Sequence, residues 1–156
     1  MTKEVLIHMK GLQNMPDMQG QENEPLELIT AGEYYFRNNT HYFLYDEMME
    51  GFTEPTHNMI KIRPGLMEVR KRGVVNVHMI FEKDKKNVAF YKTPLGTLEM
   101  DITATRVMMA ETEQWLDIQA EYALGVNGNA VADCVMQIRV TPKGNKEALQ
   151  AGSFFK

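Results

Sequence analysis

Arg106 and Tyr122 are the residues whose positions most invite chemistry. Counting by twos along Leu98, Met100, Ile102 and Ala104, the next position on the same face is Arg106. An arginine on an apolar face needs a partner, since removing one member of a buried ion pair costs about 3–5 kcal/mol. It could close the floor of a barrel against an aromatic such as Trp115, or anchor a ligand carboxylate or phosphate. A bulge that turns it to solvent is the alternative. Tyr122 shares its face with Ile118 and Leu124. Its hydroxyl then wants a hydrogen-bond partner, either a backbone carbonyl or a ligand.

Other chemistry-bearing residues point to less. His8, His41, His57 and His78 are well separated with no ligand spacing, and Cys134 stands alone, so no metal site is expected. His78, between Val77 and Met79, is expected to face solvent. The acidic group Asp46, Glu47, Glu50 and Glu54 reads as a solvated strand end. Basic residues gather mid-chain around Arg70, Lys71 and Arg72, with Lys61, Arg63, Lys83, Lys85 and Lys86 nearby. If their strands are neighbours they form one positive patch for phosphate, an acidic ligand or RNA. Only Phe81 lies near them, so base stacking is unsupported and nucleic acid is not the expected partner. No glycine-rich phosphate loop, serine elbow, zinc-protease helix or dinucleotide fingerprint is present, and no cofactor is expected.

The elements that must position these residues are strands. The 156 residues fit a single domain spanning 1–156, with 44% hydrophobic and 24% charged residues. A net charge of −4 argues against a general nucleic-acid binder. Thirteen methionines spread over most strands, where they fill irregular space or adapt to loosely shaped ligands. A single cysteine excludes an intrachain disulfide. The first ten residues carry Lys3, Glu4, His8 and Lys10, unlike a signal peptide, and no run approaches the length of a membrane span. A cytoplasmic protein, monomeric or homodimeric and not membrane-bound, is expected.

Alternation of period two runs through Val5–Lys10, Leu26–Phe36, His41–Met49, Asn58–Arg63, Leu66–Arg72, Val74–Phe81, Val88–Thr93, Leu98–Met108, Gln114–Val126 and Val131–Thr141. Turn signals separate them: Asn38-Asn39, Pro64-Gly65, Pro94, and Asn127-Gly128 as the strongest hairpin signal. A polar loop is expected from Gln13 to Glu24. Short helical turns at Glu111–Gln114 and Asn145–Gly152 are the only helical candidates. An all-β fold follows, an antiparallel up-and-down barrel of about 8–10 strands. A two-sheet sandwich is the alternative that alternation does not separate from it.

Several segments resemble a bacterial family of uncharacterised proteins, the YwiB-like family. They are Thr30-Ala31-Gly32-Glu33-Tyr34-Tyr35-Phe36, Tyr42 to Glu47, Arg72-Gly73-Val74-Val75, Tyr91 to Met100 and Leu116 to Leu124. The similarity covers nearly the whole chain in order, and it rests on turns, glycines and strand alternation. It implies a calycin-like (lipocalin-like) barrel and transfers no catalytic residue. In that frame Gly32 and Gly96 permit bulges or sharp coiling.

The leading expectation is a barrel that binds a small apolar or amphipathic (lipid-type) ligand among Met79, Met100, Met136, Arg106 and Tyr122, without catalysis. Met9 belongs to the same methionine-rich interior. Phe36, Phe81 and Leu124 could instead fill that interior. A second expectation is an interaction module that docks a protein or RNA through the outer face or the patch of Arg70, Lys71 and Arg72. A third is an enzyme that uses Arg106 in the barrel mouth, which requires titratable groups inside.

Overall fold

A computed structural model describes residues 3–14 and 26–144. Ten strands form one antiparallel sheet: β1 (Glu4–Asn14), β2 (Leu26–Arg37), β3 (Thr40–Glu47), β4 (Thr56–Arg63), β5 (Leu66–Arg72), β6 (Val77–Glu82), β7 (Lys86–Thr93), β8 (Gly96–Glu111), β9 (Leu116–Val126) and β10 (Asn129–Pro142). Their order is β6-β5-β4-β3-β2-β1-β10-β9-β8-β7. The first and last strands pair, with Val5 opposite Pro142 and Met9 opposite Ile138. Two meanders run outward from that pair and come together at β6 and β7. There the backbones join at Asn76 and Lys92, through reciprocal hydrogen bonds of 2.9 Å, and at Asp84 N–H to Ala104 C=O, 2.8 Å. The sheet is therefore an up-and-down sheet nearly closed into a barrel, and its continuity excludes the sandwich. Among the described residues no helix is long and apolar enough to cross a membrane.

The turns form where backbone chemistry demands them. Asn38 and Asn39 (φ 53° and 57°) and Asn127 and Gly128 (51° and 84°) take the paired positive φ of type I′ hairpins. Gly73 (φ 151°) packs its turn so tightly on β4 that a Cβ there would lie 2.8 Å from Thr56 Cα. The Asn76 amide closes the same turn onto Gly73, which is why β6 begins at Val77 rather than Val74. Gly32 does not bulge the register of β2; a Cβ there would meet Leu44 O at 2.6 Å, so the residue permits close approach of β3. The Glu111–Gln114 segment is not a helical turn: the Thr112 hydroxyl accepts the Gln114 and Trp115 amides and holds an open bend. Of the expected polar loop, Gln13 and Asn14 belong to β1. Residues 15–25, and the expected helix at Asn145–Gly152, lie outside the described residues.

The inward faces make one core. Ile7, Phe43, Ile60, Ile102, Ile118 and Ile138 are fully buried. Phe81 meets Tyr122 edge-on at 4.8 Å. One end is plugged: Tyr34 and Nδ1 of His41 share a 2.8 Å hydrogen bond, Tyr34 stacks on Phe43 at 5.4 Å, and Phe36 lies over the His41 ring at 4.8 Å. Burial lowers the His41 pKa, so the floor histidine is held neutral.

Part of the outer face is also buried. Asp117, on the outward face of β9, receives two hydrogen bonds from Arg139, Nε at 2.7 Å and Nη2 at 2.9 Å. Their side chains are only 6% and 2% exposed, and Trp115 lies over the guanidinium at 4.6 Å. Asp117→Ala removes two hydrogen bonds from a buried guanidinium and should cost about 1.5–3 kcal/mol in urea unfolding. A loss below about 1 kcal/mol would place the pair with solvated surface pairs.

Candidate functional site

Among the described residues, the end of the barrel opposite the aromatic cluster of Tyr34, Phe36, His41 and Phe43 is built from the far ends of β3, β4 and β5. Alternation carries β3 through Phe43 and Tyr45 to Glu47, β4 from Ile62 and Ile60 to Asn58, and β5 through Met67 and Val69 to Lys71. Each strand thus runs apolar in its depth and ends in a polar group. Tyr45, Asn58 and Lys71 occupy one rung across the three strands.

The polar groups find one another. Lys71 Nζ donates to Asn58 Oδ1 at 2.8 Å and to Glu47 Oε1 at 3.1 Å. Asn58 Nδ2 donates to the Thr56 carbonyl at 3.2 Å. The Lys71 and Glu47 side chains keep 18% and 32% of their exposure, so the pair sits at the rim rather than in the core. Beside it opens a cavity of about 230 Å³, with Met9, Leu28, Tyr45, Tyr122, Cys134 and Met136 among its walls. Gly11 also lines it, and a Cβ there would meet nothing within 4 Å. The missing side chain of Gly11 leaves open space in the β1 wall.

Electrostatics holds the uncharged groups protonated. Burial raises the phenols of Tyr45, Tyr122 and Tyr91, with Glu47 adding to the shift at Tyr45 and Tyr91. Burial also pushes the Cys134 thiol up, against an opposing hydrogen bond with Tyr122, its cross-strand partner. A protonated thiol without a histidine on the cavity wall is a poor nucleophile. No group of three or more metal-ligating side chains occurs among the described residues. The arrangement offers apolar walls with charged groups of both signs around them, Lys71 with Glu47 on one side and Lys10 and Glu27 on another.

The site residues expected from sequence divide sharply. Tyr122 and Met136 line the cavity. Met79 and Met100 face inward but pack as core: Met100 is buried with Val77 and Ala89, and Met79 bridges the two apolar clusters. Arg106 is corrected. A bulge shifts the register between Ala104 and Arg106, so Ala104 pairs with Tyr122 but Arg106 with Glu121. The inward face continues at Val107, and Arg106 points outward, 58% exposed, with Nε 3.4 Å from Glu121. The contiguous basic patch is corrected too, because alternation sends Lys71 into the barrel while Arg70 and Arg72 stay outside. Glu47 likewise leaves its solvated acidic group for the interior. Glu47, Asn58 and Tyr45 were missed, although the parity count from Phe43 and Ile60 identifies them.

A family model described as a domain of unknown function (DUF1934) matches residues 7–138. A solved structure titled "Crystal structure of ywiB protein from Bacillus subtilis" is similar, at 21% identity, covering 90% of this chain and 92% of that one with a TM-score of 0.76. At that identity the likeness shows the fold alone. No curated protein matches the chain.

The buried phenols give the site a pH signature. Their pKa values are raised above the unfolded value of about 10. As pH rises past about 10 the unfolded chain loses those protons first, so their contribution to stability is intact below that pH and is lost above it. Urea unfolding should show stability falling above about pH 10, and Tyr45→Phe or Tyr122→Phe should each flatten the fall. Phenolate absorbance from these two residues in a barrel with intact near-UV dichroism would contradict it.

Proposed function

The chain belongs to the DUF1934 family, a domain of unknown function, and for this member we propose that the barrel mouth binds a small amphipathic molecule. Its hydrocarbon part lies among Met9, Leu28, Tyr122 and Met136, and its polar head meets Lys71, Glu47 and Asn58. One observation carries this reading: an ion pair with its own hydrogen-bonded amide stands at the rim of a cavity lined by Met9, Leu26, Leu28, Val135 and Met136, with Lys10 and Glu27 also among its walls. A filled core gains nothing from such a corner, whereas a ligand head gains orientation from it. The volume suits a guest smaller than a drug-sized ligand. Methionine walls adapt to chains of loose shape.

Magnitudes set the expected affinity. Burying about seven methylenes is worth about 6 kcal/mol before association costs. Association costs of about 4 kcal/mol or more leave at most about 2 kcal/mol from the chain itself, so the polar head supplies the rest of the affinity. The titratable groups that an enzyme would require are inside the barrel, but Glu47 and Lys71 satisfy each other and Cys134 is held as a thiol. That pairing favours binding over catalysis.

Calorimetric titration with octanoate and octanol tests the proposal. The native protein should bind both. Gly11→Phe, which fills the cavity from β1, should abolish both; Lys71→Met should weaken octanoate about tenfold and spare octanol. Unchanged binding in Gly11→Phe would overturn the proposal.

A further inference from the structure

A second concavity lies outside the barrel, along the seam where β6 meets β7. It is an open groove of about 450 Å³ with Arg70 and Arg72 of β5, His78 of β6, and Val88, Phe90 and Lys92 of β7 among its walls. None of the residues lining it is an aspartate or glutamate, on a chain whose net charge is −4. Phe90 is 56% exposed and Val88 54%, both on the outward face of an edge strand. The groove is thus cationic with an aromatic surface laid open beside the charges.

Topology makes this combination. In the linear chain the only aromatic near Arg70 and Arg72 is Phe81, which is turned into the core. Near closure of the barrel brings Phe90 and Lys92 across the seam, and these supply the stacking surface that the sequence order hides. Arg70 and Arg72 are successive outward residues of one strand, about 6.5 Å apart along it. They offer two guanidiniums in series, a spacing for a chain of phosphates more than for a single one. Acidic groups bound the groove on its far sides. Glu99 and Asp101 stand opposite Phe90 and Val88 on β8, and Glu68 holds His78 Nε2 at 3.0 Å while Arg70 faces Nδ1 of that ring at 3.5 Å. Glu99 and Asp101 repel phosphates from the β8 side, while Glu68, two residues before Arg70 on β5, marks the end of the arginine row.

We infer that the seam groove binds single-stranded nucleic acid, with backbone phosphates along Arg70, Arg72 and Lys92 and a base stacked on Phe90. Serial cations along a strand and one open aromatic face are the elements of a sequence-tolerant single-strand site.

Fluorescence anisotropy with a labelled single-stranded RNA of about eight nucleotides at low salt tests the inference. Phe90→Ala, at an exposed position, should weaken binding about tenfold or more. Arg70→Gln and Arg72→Gln should each weaken it and lower the slope of log affinity against log salt by about 0.7. Gly11→Phe, in the barrel mouth, should leave binding unchanged, which separates this site from the mouth ligand. Three results would overturn the inference: no RNA binding, Phe90→Ala behaving as the native protein, or displacement by inorganic phosphate or a mononucleotide at equal phosphate concentration.

Discussion

Alternation carried around a nearly closed ring of strands governs everything else in this molecule. Each strand sends every second residue inward, and a slip of one position exchanges its entire inner and outer sets. The pairing of β1 with β10 fixes the phase for both meanders, since Ile7 and Val140 share a rung on the inner face. From there each neighbouring strand inherits its phase rung by rung. The bulge at Thr105 shows the constraint from its other side. Inserting one residue keeps Ala104 inside, moves Val107 in and sends Arg106 out to Glu121.

The two ends of the ring solve the filling of that interior differently. The floor is closed by Tyr34, His41, Phe36 and Phe43, whose rings stack within about 6 Å of one another and whose two polar atoms satisfy each other. The opposite end replaces rings with Glu47, Asn58 and Lys71, and leaves β1 bare at Gly11. Hydrocarbon in the middle stabilises the barrel, so the mouth is free to vary. Part of the outer face is buried too, at Arg139 and Asp117, which form a doubly hydrogen-bonded pair.

Much of this was legible in the residues. Strand number, hairpin chemistry at Asn38-Asn39 and Asn127-Gly128, and inward Tyr122, Cys134 and Met136 follow from local rules alone. The site was less legible for three physical reasons. The β8 bulge has no glycine or proline to announce it, so parity counting misplaced Arg106. Runs of like charge such as Arg70-Lys71-Arg72 read as one patch, though a strand divides them between two faces. The approach of Phe90 to the groove that Arg72 lines depends on barrel closure, which sequence order does not display.

The central claim is that the mouth cavity admits a guest against its inner wall. Cys134 is the single cysteine of the chain and stands on that wall, buried and with a raised thiol pKa. Its alkylation by iodoacetamide, followed by intact-mass spectrometry with and without saturating octanoate, reads occupancy directly. Labelling of the free protein should be slow, and markedly slower when octanoate is bound. Labelling at the same rate in both samples would contradict it.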